Sequence, residues 1–236
     1  MINWKNIILN EFENRFYYNN QLVFEECQFE AALKFHAPGL APVKVDNKWF
    51  HINTDGKAIY EKRYKKAFGY YFNRAVVVEK DNWFHIDVFG KRINEQVYNW
   101  CGNFQENVCT VRDKNDNYFH LDLDGNRCYE ENYSYAGDFK YGFACVMNKY
   151  QQFTHIDKKG QFLHQKWFLD LGVYHKGFAT ARDDNGWFHI DFDGNEIYPY
   201  RFAQIEPFYN GWAFATNLLG DKVIISENGN IKKLNK

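Results

Sequence analysis

Four histidines are followed two residues later by an aspartate, as His85/Asp87, His120/Asp122, His155/Asp157 and His189/Asp191, and His51 stands in a fifth copy of the same phrase. Imidazole and carboxylate in this number are the side chains that hold zinc or move protons. A zinc site needs three or four ligands converging at about 2.0–2.3 Å. One His and one Asp on each of several separate units converge only if the units meet at an axis. No metal and no cofactor is therefore expected, and each histidine reads as a packing or hydrogen-bonding residue, with the Asp fixing the turn that follows.

Strand alternation puts Trp83, His85 and Asp87 on one face and Phe84 and Ile86 on the other. Indoles that stack and polar groups that orient hydroxyls would suit a carbohydrate, so the candidate ligand-binding set is Trp49, His51, Trp83, His85, His120, His155, Trp187 and His189. Catalysis finds less support. There is no phosphate-binding glycine loop, no G-x-S-x-G elbow and no H-E-x-x-H helix. A repeated motif also argues against one active centre, which gathers unlike groups at one place. The chain is expected not to be an enzyme.

The elements that must position these side chains follow from the spacing. The phrase is clearest at Trp83 to Gly90 and returns at Trp49, Tyr118, Phe153, Trp187 and, worn, Lys222. Its histidine place falls at 51, 85, 120, 155, 189 and 224, in steps of 34, 35, 35, 34 and 35, with Ile224 in the last. So regular a step is the signature of a repeat protein. Five residues after each comes Gly56, Gly90, Gly125, Gly160, Gly194 or Gly229, four of them preceded by Asp or Asn, the composition of a hairpin turn. Only Gly or Asn occurs at 39, 73, 107, 142, 177 and 211, as expected where the backbone visits the left-handed region before a strand. The small residues Ala41, Ala75, Cys109, Ala144, Ala179 and Ala213 follow two places later and open that strand. Length varies only between this strand and the phrase, at hairpin tips such as 113–117, 148–152 and 183–186. A second aromatic ladder, including Tyr64, Tyr70, Tyr98 and Phe104, has a spacing that fits a helical turn or a bulged strand equally.

Trp4, Ile7, Ile8, Phe12 and Phe16 recur at threes and fours, which predicts an amphipathic helix over 3–16 that caps the first unit. The expected organisation is a helix or cap in 1–20 and a β-repeat domain in 21–236, with Gln21 to Phe24 a spare short strand available to the final unit.

The composition agrees. Aromatic residues make up 20% of the chain and must supply most of the core. A net charge of −1 with mixed signs gives no stripe to neutralise phosphates, which speaks against nucleic acid. Neither a long apolar run nor a basic-then-apolar start is present, so no membrane span is expected and the cytoplasm is the expected compartment, with signal-independent export left open. The five cysteines form no C-x-x-C pair and read as small buried residues.

These residues resemble the WG-repeat (KWG-repeat) family, whose units carry a Trp-Gly-aromatic-Ile-Asp-x-x-Gly core and a glycine-led Leu-Ala-x-Val strand. The resemblance runs over residues 21–234, with phenylalanine in the glycine's place in three Trp-led copies and histidine in the aromatic's place in five. It implies a bacterial, all-β binding or scaffolding module with no catalytic residues to carry over. Six units of about 35 residues suit a six-bladed β-propeller, the alternative being an open β-solenoid. The expected partner is another protein, with carbohydrate as the second reading.

Overall fold

The computed structural model describes residues 2–234 and is all-β but for a three-residue 3-10 turn, Trp4–Asn6. The chain packs as two compact units, Met1–Arg127 and Cys128–Lys236. Positions 1, 235 and 236, at the ends of the two expected domains, lie outside the described residues.

Each repeat is a small antiparallel sheet. Lys66–Tyr71, Arg74–Glu79 and Asn82–Ile86 show the pattern: Val76 pairs with His85, Val77 with Phe84 and Val78 with Trp83. The ladder at 64–71 is a bulged strand, with its register shift between Ala67 and Tyr70, and not a helical turn. The left-handed positions are where the spacing puts them, with φ of 59° at Asn73, 70° at Asn107 and 83° at Gly142. The small residues they introduce are buried, Ala41 and Ala144 completely. After the five histidine-bearing phrases the chain returns through a single bridge, such as Ile86↔Arg92 or Ile190↔Glu196, and after the last through the three-residue strand Ile231–Lys233.

The N-terminal helix is a correction. Ile7–Asn10 and Arg15–Tyr18 form an antiparallel hairpin, and Gln21–Val23 pairs with Arg15–Tyr18 inside this first sheet, so the spare strand's partner is local. Burial alternates at Ile7, Ile8 and Leu9 as in a strand, and Phe12, which a helix would place on its apolar face, is fully exposed at the hairpin tip. The helical spacing arises because the turn at 11–14 separates two strand faces. Phe16 stands 35 residues before His51, is buried, and sets its ring edge-on to Phe35 at 5.2 Å. The first twenty residues thus supply a further, worn copy of the repeat.

Successive repeats are linked by one backbone pair, Trp49↔Tyr64, Trp83↔Tyr98 and Phe153↔Phe168, and in the second unit the equivalent pair runs on into strands at both sides. Trp187 pairs with Phe202, joining the strands from Asp170–Leu171 to Ile231–Lys233 into one seven-stranded sheet.

Candidate functional site

The middle of each histidine-bearing phrase strand is covered on both faces, so the histidines lie inside the protein. His51, His120 and His189 are 0% exposed, His155 1% and His85 2%. Four of them make the same contact: Nε2 donates to the carbonyl 17 residues on, Phe68, Gly102, Gly172 or Glu206, at 2.8–2.9 Å. A carbonyl can only accept, which places the proton on Nε2 and leaves Nδ1 as acceptor. Nδ1 of His51 takes the Tyr60 hydroxyl and that of His189 the Tyr198 hydroxyl, each nine residues on. In the fourth copy His164 fills this place, its Nε2 3.3 Å from His155 Nδ1. Asn94 fills it in the second, donates instead to the Gly125 carbonyl at 2.7 Å, and leaves the buried Nδ1 of His85 without a partner.

The aromatic nineteen residues on closes over the imidazole: Tyr70 on His51 at 4.6 Å, Phe104 on His85 at 4.9 Å, Phe208 on His189 at 4.0 Å. Burial in this apolar setting disfavours the charged ring and lowers the pKa of His51, His85, His155 and His189 to about 4. All four are neutral at pH 7.

The aspartates fix turns. Asp87 Oδ1 accepts from the Phe89 and Lys91 amides at 2.9 Å, and Asp122, Asp157 and Asp191 repeat the bond pair. The turn glycines are held twice over. Gly90 has φ of +78°, and a Cβ there would lie 2.4 Å from the Tyr60 ring of the preceding repeat. A side chain at this place would strain the backbone and push out the tyrosine that holds the histidine.

Phenylalanine beside each histidine has its own partner, a guanidinium stacked 3.8–3.9 Å from the ring centroid: Arg63 over Phe50, Arg92 over Phe84, Arg127 over Phe119 and Arg201 over Phe188. The arginine comes from eight or thirteen residues on. Where the pattern breaks, at Thr154, the hydroxyl donates to the Lys166 carbonyl at 3.0 Å instead.

Trp49, Trp83 and Trp187 are half-buried at the strand starts. Trp49 and Trp83 exchange both backbone hydrogen bonds with the residue fifteen on, Tyr64 and Tyr98, and Trp83 stacks on Phe68 at 5.5 Å. The structure therefore does not gather the candidate set. Its histidines are buried, four of them against neighbouring backbone carbonyls, and its tryptophans sit one to a sheet. Among the described residues no group of three or more His, Cys, Asp or Glu is placed to hold a metal ion.

Trp187 lines a sizeable concavity of its unit, about 700 Å³, together with Ile205, Glu206, Phe214, Lys222 and Leu234. Phe214 was not legible as a site residue from its own chemistry. Its place is held elsewhere by Val76, Thr110, Cys145 and Thr180, which are 1–9% exposed, whereas Phe214 is 58% exposed. The signal was there as a departure: one large ring in a column of small or β-branched residues, in the same copy where Ile224 replaces histidine.

Solved structures similar to the chain include BamB from Moraxella catarrhalis, at 10% identity over 92% of this chain and 75% of that one, with a TM-score of 0.45. The computationally designed Ika8 protein matches at 12% identity over 97% and 83%, TM-score 0.45. The WD40 β-propeller domain of Doa1 matches at 14% over 87% and 84%, TM-score 0.37. No curated protein matches the sequence. The WG-containing repeat model matches residues 26–49 and 190–217. Those two matches, the recurrent step and the all-β sheets are consistent with a WG-repeat protein.

Proposed function

We propose that the chain is a non-catalytic binding module that engages a partner protein through the open face of its last sheet. The observation that carries this reading is Phe214, a large ring left 58% exposed at a place that is buried in the other repeats. Ile205, Leu234 and Trp187 line the same concavity with it, and Glu206 and Lys222 add one charge of each sign. An apolar centre with a mixed polar rim is the anatomy of a protein interface, and a ring seated in a groove is the usual anchor. The chemistry of the phrase supports a role without catalysis, because its imidazoles and carboxylates are spent on buried contacts and turns.

The test is recovery of partners on immobilised wild type and on Phe214→Asp, with Ile8→Asp as an exposed apolar control in the first unit. The reading expects a partner that is held by wild type and Ile8→Asp and released by Phe214→Asp, with all three proteins melting alike. A partner retained by Phe214→Asp contradicts it.

A further inference from the structure

The first unit has a concavity of its own, about 420 Å³, within the size range of small-ligand sites. Its walls come from four successive sheets, each giving residues on or just after its first strand, with Leu9 and Phe68 among the apolar lining residues.

His36 lines it, half-buried, with its ring on Tyr71 at 4.8 Å. Unlike the phrase imidazoles, this ring makes no hydrogen bond to any described residue, and the Asn103 amide and Tyr71 hydroxyl of the same lining are equally unengaged among the described residues. The place is built for the ring. Gly69 lies beneath it, and a Cβ there would come within 2.8 Å of Cδ2 and 2.9 Å of Nε2.

The charge in the groove cancels. Glu11 and Lys34 pair with each other at 3.2 Å, and burial lowers the His36 pKa, which keeps the imidazole neutral at pH 7. A phosphate or carboxylate ligand would meet no unbalanced cation here, and a cation no unbalanced carboxylate. What the groove does offer is neutral donors and acceptors, from His36, Tyr71 and Asn103, together with the apolar side chains of Leu9, Leu33 and Phe68. That combination matches a ring with hydroxyls around its edge and C–H on its face.

We propose that this groove binds a neutral saccharide unit, with His36 and Asn103 hydrogen-bonding its hydroxyls and Phe68 and Leu9 meeting its apolar face. The site is separate from the protein-binding face of the last sheet and does not depend on it.

The experiment follows the His36 imidazole by NMR while the protein is titrated with glucose, galactose, mannose, N-acetylglucosamine and their common disaccharides. One of these is expected to shift His36 saturably. His36→Phe, which keeps the ring but not its nitrogens, and Gly69→Ala, which displaces the imidazole, are each expected to weaken binding about tenfold or more at an unchanged melting temperature. Phe214→Asp should bind the sugar as wild type does. The proposal is overturned if no saccharide in the panel shifts His36, if binding survives both variants, or if the shifts answer only to a polypeptide partner.

Discussion

The junction at His189 and the face at Ile224 occupy the same place in consecutive repeats of one sheet, and they are built from opposite chemistry. At His189 the next segment supplies the Glu206 carbonyl to Nε2, the Tyr198 hydroxyl to Nδ1 and the Phe208 ring to the face. At Ile224 the side chain is apolar and only half-buried, and Phe214 beside it is open to solvent. A polar side chain inside a protein is stable only where each of its polar atoms finds a partner. Five copies therefore use histidine where the following segment covers it, one uses the buried ring of Phe16, and the open face carries Ile224. One position serves cohesion in one copy and exposure in the next.

Acid should break this contrast most strongly. The folded pKa of about 4 for His51, His85, His155 and His189 lies below the unfolded value near 6.5, so between these pH values the unfolded chain binds protons that the folded chain refuses. Stability is expected to be level above pH 7 and to fall as pH drops from 6.5 towards 4. By linkage the four histidines together remove roughly 5 kcal/mol by pH 5.5, comparable to the whole stability of many domains. Denaturant midpoints measured from pH 8 to pH 5 check this. A flat profile across that range would contradict buried, neutral imidazoles.

Substitution tests the two places directly. His189→Ala leaves the Tyr198 hydroxyl and the Glu206 carbonyl unmatched and opens a void under Phe208, at a cost of roughly 3–4 kcal/mol. Ile224→Ala on the open face should cost about 1 kcal/mol, read in the same urea series. Equal costs would erase the distinction.

A smaller effect sharpens the account of the junction itself. Asn94→Tyr in the second repeat restores the hydroxyl that Tyr60 and Tyr198 supply elsewhere, and should raise stability by about 0.5–1 kcal/mol by satisfying His85 Nδ1. Tyr60 already fits against the next turn glycine, Gly90, so the ring has a precedent at this place. Smallest of all is Phe214→Asp, expected to shift stability by less than about 0.5 kcal/mol because the ring is mostly exposed. Its effect should fall on partner binding.

Much of this architecture is legible in the sequence because it depends on backbone geometry. Gly or Asn at 73, 107 and 142 meets a positive φ, and Asp87 and Asp122 meet the amides of their own turns, both within a few residues. The first copy of the repeat was hidden, although Phe16 keeps the 35-residue step, because Asn19 and Asn20 replace the turn glycine and the apolar spacing mimics a helix. The histidines' role was half legible. Their number was plain, but the carbonyl that accepts from four of them lies 17 residues away, on or just after the first strand of the next repeat. The arginine that covers each phenylalanine arrives from either of two positions, so no fixed spacing announces it.

The most direct test of the central claim is an NMR pH titration of the imidazoles in the folded protein. His51, His85, His155 and His189 should hold one neutral form, protonated on Nε2, from pH 8 down to the onset of acid unfolding. Titration of these four rings near pH 6.5 with the fold intact would show that they face water, and would return the phrase to the status of an open binding surface.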